Sequence, residues 1–167
     1  MTNANVRIRR AATDDLSAIG ELGAMLVRAH HEFDALRFIP ATPNTAQGYA
    51  RFLGTQLDVS SVVVLVAERE GVVVGYCYAG LEDLDWMSLR GPAGAIYDIV
   101  VHSAHRGQGV ARALLDATLA DLSAMGAPRI VLSTAERNPE AQRLFERAGF
   151  RRTMIEMTRE SSDGSPE

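Results

Sequence analysis

The sequence predicts a mixed α/β fold in which one central sheet carries helices on both faces. Three observations lead there. Apolar residues recur at helical spacing through the first third of the chain, two β-branched runs follow back to back, and strand-like and helix-like stretches then alternate. The expected order is a short strand, two helices, an antiparallel hairpin, and then strand, helix, strand, helix, strand.

At the start, "VRIRR" alternates apolar and charged residues as an edge strand does. Thr13 stands where it can cap a helix whose first turn holds Asp14 and Asp15, carboxylates favoured at the positive end of the helix dipole. Leu16, Ile19, Gly23, Leu26 and Val27 form the inward stripe of that helix. The connection "HHEFDALRFIPATP" is broken by Pro40 and Pro43, after which Asn44 is placed to cap a second helix carrying Ala46, Tyr49, Leu53 and Leu57. The period then changes from helical to extended. "SVVVLVAER" and "VVVGYCYAG" flank the pair Glu70-Gly71, a hairpin signature, and their nearly unbroken hydrophobicity predicts burial on both faces.

A loop rich in acid, Gly and Pro occupies residues 82 to 94 and leads into the strand "AIYDIVVH". The helix after it turns Val110, Leu114, Leu115, Leu119, Leu122 and Met125 inward and ends at Gly126, ahead of Pro128. "RIVLST" is the next strand. Asn138 caps the last helix, with Pro139 at its first position, Ala141, Leu144, Phe145 and Ala148 on one face, and Gly149 closing it. "FRRTMIEM" is expected to finish the sheet as a strand.

The chain has 167 residues and 47% hydrophobic content, enough for one core, so residues 1–157 are expected to form a single domain and residues 158–167 a disordered tail. No apolar run approaches the ~20 residues that cross a bilayer, and "MTNANVRIRRAATDD" lacks the layout of a signal peptide, so a soluble, cytoplasmic protein without a membrane partner is expected. A formal net charge of −4 argues against a nonspecific nucleic-acid binder. The acids Glu82, Asp83 and Asp85 suit a cationic partner instead. The single cysteine, Cys77, excludes an internal disulfide and reads as a buried thiol. The pairs His30/His31 and His102/His105 have no thiols or clustered carboxylates at ligand spacing, so no metal site is expected.

The residues most in need of explanation are Arg106-Gly107-Gln108-Gly109-Val110-Ala111, set between a strand and its crossover helix. Successive N–H groups and a helix N-terminus converge there, and glycines let the backbone approach an anion closely, so a phosphate-bearing ligand is expected. A dinucleotide fingerprint fails because Arg112 stands where its third glycine belongs, and no Gly-Lys-Ser/Thr of a P-loop is present.

What remains, Arg-x-x-Gly-x-Ala, resembles the signature of the GNAT superfamily of acyl-CoA-dependent N-acyltransferases. The segment "TAERNPEAQRLFERAGFRRT" looks like that family's second conserved stretch, and the resemblance runs over nearly the whole chain. It implies a GNAT-like fold: a central, mostly antiparallel sheet with a splayed parallel strand pair, and helices on both faces. It also implies acetyl-CoA as co-substrate, with no metal. The pyrophosphate would lie on the N–H groups of Gly107, Gln108, Gly109, Val110, Ala111 and Arg112, with Arg106 and Arg112 adding charge. Ile99, Val100 and Val101 would pair with the pantetheine arm, and Asn138 would contact it. In many relatives a tyrosine protonates the leaving thiolate; Phe145 holds the matching position at the thiol end of the cofactor site and brings no hydroxyl.

Acyl transfer to an amine needs a base, because alkylammonium groups have a pKa of about 10. The candidates are Asp98 and the loop acids Glu82, Asp83 and Asp85, with a backbone N–H around Val100 as oxyanion donor. Strand parity places Tyr97 and Asp98 on opposite faces. Some relatives have glutamate where Tyr97 stands, so Tyr97 either borders the acceptor site or packs in the core. The resemblance sets "RAHHEFDALRFIP" beside the acceptor, and Ser133 replaces a glutamate found in the branch that acetylates ribosomal-protein N-termini.

The expected function is therefore N-acetyltransfer from acetyl-CoA to a primary amine of a small molecule, by direct attack in a ternary complex, with Tyr97, Asp98 and Glu82 as candidate catalytic residues. A protein lysine or N-terminal acetyltransferase and a catalytically weak acyl-CoA-binding regulatory domain remain alternatives. Homodimers are common in the family, and nothing in the sequence fixes the assembly.

Overall fold

The computed structural model describes residues 6–161 of the chain. Five strands form one sheet in sequence order: β1 (Arg7–Arg10), β2 (Val62–Arg69), β3 (Val72–Glu82), β4 (Ala93–Val101) and β5 (Ile130–Leu132). The first four pair antiparallel, β2 and β3 through the Glu70-Gly71 turn, in which both residues have positive φ. β5 joins β4 in parallel, as a crossover through a helix requires. Helices α1 (Leu16–Phe33) and α2 (Thr45–Gly54) pack on one face, and α3 (Val110–Ala124) and α4 (Pro139–Arg147) on the other.

Two apolar layers explain why the central strands are hydrophobic on both sides. Ile19 and Leu22 of α1 and Leu53 of α2 meet Val64, Val66, Tyr76 and Val100 on one face. Leu114, Leu115 and Leu122 of α3 and Phe145 of α4 meet Val63, Leu65, Cys77 and Ile96 on the other. Cys77 lies buried in this second layer, which pushes its thiol up to about 12. In α1 the buried stripe includes Leu22 and Gly20 beside Ile19 and Gly23, because α2 presses against α1 at its glycines.

Two helix starts differ from expectation. Thr13 does not cap α1: it opens a 3-10 turn, Thr13–Asp15, and Ala12 takes the cap position. Asp15 controls that turn, accepting from the Ala12 N–H at 2.8 Å and pairing with Arg9 at 2.7 Å. Asn44 occupies the cap position of α2 without a side-chain bond. Asn138, in contrast, caps α4 by accepting from the Ala141 N–H at 3.2 Å.

The expected final strand is not part of the sheet. From Arg151 to Ser161 the chain carries no helix or strand and is exposed, with Met154, Ile155 and Met157 at 75%, 85% and 89% exposure. β5 is only three residues long and offers little ladder to pair with. The segment is tied instead by its charges, Arg152 to Glu146 at 3.2 Å and Glu156 to Arg37. Of the expected tail, residues 162–167 lie outside the described residues. No described helix is long and apolar enough to cross a membrane.

Candidate functional site

The β4–β5 ladder stops early, and that creates the site. Gly94, Ala95 and Ile96 pair with Ile130, Val131 and Leu132, and beyond Ile96 the two strands part. A cavity of about 290 Å³ opens in the gap, walled by Tyr97, Asp98 and Ile99 on one side and Leu132, Ser133 and Thr134 on the other. Residues of α1, α4 and the α1–α2 connection close it, among them His30, Phe38, Asn138 and Phe145.

At the end of β4 the chain makes a short 3-10 turn, Ser103–His105, and enters α3 through the glycine loop. Gly107 and Gly109 take φ of 70° and 80°, the left-handed region that a side chain with Cβ adopts at a cost. Gly109 is the N-cap of α3. Among the described residues, no protein acceptor receives the N–H groups of Gly107, Gln108, Gly109, Val110, Ala111 or Arg112; the first helical bond runs from Ala113 to Gly109 at 3.0 Å. A continuous run of donors at a helix N-terminus, with open space where glycine Cβ atoms would stand, fits a pyrophosphate.

The guanidinium groups of the loop are less free than its amides. Arg106 donates through Nε to the Val101 carbonyl at 3.1 Å, and Arg112 is held by Asp116 at 2.8 Å. A third arginine reaches the loop from the end of β2: Arg69 donates to the Gln108 side chain, which in turn donates to the Ala104 carbonyl at 3.2 Å. Arg69 lies 39 residues from Gln108 in sequence, so no local pattern could have drawn attention to it.

The gap-facing edge of β4 is set by strand alternation. His102 donates to the Val74 carbonyl at 2.8 Å, and with Val100 opposite Tyr76 this turns the Val100 N–H toward β3. The N–H groups facing the gap are those of Ile99 and Val101. The Val100 N–H expected to face the gap is therefore turned away from it, and those of its two neighbours are turned toward it.

The parity argument for Tyr97 and Asp98 also fails. The ladder between β3 and β4 shifts at Tyr78/Ala79, so that Tyr78 pairs with Asp98 but Ala79 pairs with Ile96, leaving Tyr97 as an extra residue. Ile96 and Ile99 consequently share the α3 side of the sheet, and Tyr97 and Asp98 both line the cavity. Tyr97 is 43% exposed and packs against Tyr78 at 4.7 Å between ring centroids.

Asp98 is half-buried, and the hydroxyl of fully buried Tyr76 donates to its Oδ2 at 2.9 Å. Burial pushes the Asp98 carboxyl above its ordinary value, partly offset by the Tyr76 bond and by His30. Burial near Asp98 also pushes the Tyr49 hydroxyl up to about 12. Glu82 does not line the cavity; it accepts from the Tyr97 hydroxyl at 2.8 Å and is paired with Arg90. Asp85 is engaged in its own loop by the Ser88 hydroxyl at 2.7 Å, which helps hold its carboxyl below the usual range. Phe145 is 5% exposed, part of the core and part of the cavity wall. Among the described residues no His, Cys, Asp and Glu side chains gather as a metal site.

Residues 28–150 match the acetyltransferase (GNAT) family. The chain belongs to that family. A mycothiol acetyltransferase of Thermobispora bispora is 36% identical over 96 residues, a match covering 55% of this chain and 31% of that protein. The chain thus corresponds to about a third of that relative. Among solved structures, a transcriptional regulator from Bacillus halodurans superposes with a TM-score of 0.73 at 22% identity, covering 94% of this chain and 100% of that one. An aminoglycoside N-acetyltransferase, AAC(6')-Iy, in complex with CoA gives 0.72 at 17% identity, covering 95% and 96%. At these identities the solved structures show a shared fold, and the match over residues 28–150 places the chain in the acetyltransferase (GNAT) family.

Proposed function

We propose that this GNAT protein is an acetyl-CoA-dependent N-acetyltransferase that acts on a primary amine of a small molecule by direct attack in a ternary complex. The observation that carries the reading is the row of unbonded N–H groups from Gly107 to Arg112, at the start of the helix that follows β4, the strand whose Asp98 carboxylate lines the gap. A CoA complex of an aminoglycoside N-acetyltransferase with the same fold supports it. The cavity's modest volume of about 290 Å³, with Phe38 and Ile39 on its rim, supports a small acceptor over a peptide.

When bound, acetyl-CoA supplies the acetyl group as a thioester. Gly107 to Arg112 hold its pyrophosphate, and Arg69 steadies the loop through Gln108. The gap-facing N–H groups of Ile99 and Val101 pair with the pantetheine arm and polarise the carbonyl oxygen. Asp98 receives the proton of the acceptor ammonium, and its raised pKa narrows the interval across which that proton moves. Tyr76 fixes the carboxylate by holding Oδ2, leaving Oδ1 for the acceptor. Glu82 acts one residue away, by positioning Tyr97. Phe145 carries no hydroxyl to protonate the departing sulfur, and a thiol with a pKa of about 8.5 leaves without one.

The test is acetyl-CoA-dependent thiol release across amines, with acceptor-free hydrolysis as the baseline. Stimulation by a small amine supports the reading; tight CoA binding with no stimulation by any amine or peptide would leave the regulatory alternative that Phe145 favours.

A further inference from the structure

We propose that the acceptor end of the cavity selects a primary amine bearing one positive charge on a small apolar body, and rejects both polycationic and zwitterionic amines. The proposal rests on the acetyl-transfer reading and names its acceptor class.

The argument begins with the charges in the cavity wall. Among the lining residues Asp98 is the one carboxylate, and no lysine or arginine is present. The acids outside the wall do not reach into it: Asp83 and Glu32 are exposed and absent from the lining, and three others are held by protein partners. Glu82 is bound to Tyr97 and Arg90, Asp85 to Ser88, and Asp34 accepts from the Leu36 N–H at 3.1 Å in its own turn. A second ammonium inside this cavity would lose its hydration without gaining a counter-charge, which is strongly unfavourable. A carboxylate next to the amine would meet Asp98, with no lysine or arginine in the wall to offset it.

The remaining surface fits one ammonium and a carbon frame. Tyr76 takes Asp98 Oδ2, leaving Oδ1 to accept from the ligand. His30 Nδ1 lies 2.9 Å from the Leu26 carbonyl, which can only accept, so Nδ1 carries a proton, and in the neutral ring Nε2 is an acceptor. An ammonium with three N–H groups can use both acceptors, whereas a tertiary amine cannot. Leu26, Val27, Phe38 and Tyr49 line the same side and offer apolar and aromatic contact, including the face-on attraction of rings for a cation. Gly23 is required for that wall: a Cβ there would stand 2.4 Å from the Tyr49 ring.

The experiment compares 2-phenylethylamine, 1,4-diaminobutane and phenylalanine, by kcat/KM in the thiol-release assay and by calorimetric binding to the CoA-loaded protein. The monoamine should be preferred at least tenfold over both others in both measurements. Asp98→Asn should weaken monoamine binding at least tenfold while leaving CoA affinity unchanged. A diamine or amino acid equal to the monoamine, or amine binding indifferent to Asp98→Asn, overturns the proposal. If the monoamine binds with the stated preference but no amine is acetylated, recognition stands and the acetyl-transfer reading falls.

Discussion

The Tyr76 hydroxyl donates to Asp98 Oδ2 at 2.9 Å, joining a fully buried ring on β3 to the carboxylate that lines the cavity from β4. This pair sets stability and function against each other. Burial raises the Asp98 pKa in the fold, so the folded protein holds this proton more firmly than the unfolded chain does. Ionising the group therefore lowers stability as pH rises from the ordinary carboxylate value, about 4, through the raised one. Asp98→Asn keeps an oxygen acceptor for Tyr76 and removes that charge. Its melting temperature should exceed the wild type's at pH 7 and match it below about pH 4, while acetyl transfer is lost. A lower melting temperature at pH 7 would mean that the charge is compensated in the apo protein.

The same shift fixes the acid limb of activity. Asp98 must be ionised to receive a proton, so kcat/KM should fall with decreasing pH through a value above the ordinary carboxylate range. A limb at about pH 4 would remove Asp98 from the role of base.

At the glycine loop, Gly109 has a φ of 80° and a Cβ there would meet open space, so a substitution acts through the backbone. Gly109→Val should cost about 1–3 kcal/mol in the loop geometry, and CoA affinity should drop roughly tenfold or more. Arg69→Ala should give a smaller loss of CoA affinity, by freeing Gln108. Calorimetry with CoA checks both, and unchanged affinity for the valine variant would remove the pyrophosphate from this loop.

What could be seen from sequence divides by range. The geometry of the glycine loop was legible because its parts are adjacent: a strand, two glycines that take left-handed φ, and a helix start. The hairpin was legible for the same reason. The common wall of Tyr97 and Asp98 was not, because it depends on one extra residue in β4 opposite Tyr78/Ala79, and a bulge leaves no mark in an alternation of apolar residues. Arg69 was invisible because its partner Gln108 is distant in sequence. "FRRTMIEM" has the composition of a strand, but a three-residue β5 gives it no edge of useful length. Its exposed backbone should exchange amide hydrogens fast from Arg151 onward, unlike Phe150, whose N–H donates to Phe145 at 3.0 Å.

Two glycines on the helical layer should respond in opposite directions. A Cβ on Gly20 of α1 would stand 2.4 Å from the Ala46 carbonyl oxygen of α2, a backbone atom that cannot swing aside. Gly20→Ala forces the helices apart and should destabilise the protein by about 1–3 kcal/mol. The separation also moves Tyr49, on the same helix as Ala46, so acceptor binding should weaken more than CoA binding does. Gly48 lies in α2 with nothing within 4 Å of its added Cβ. Gly48→Ala should therefore stabilise by about 0.5–1 kcal/mol, since alanine restricts the unfolded chain and favours the helix. Chemical denaturation of the two variants checks the pair, and a neutral Gly20→Ala would mean that α2 is not held against α1 as closely as the fold requires.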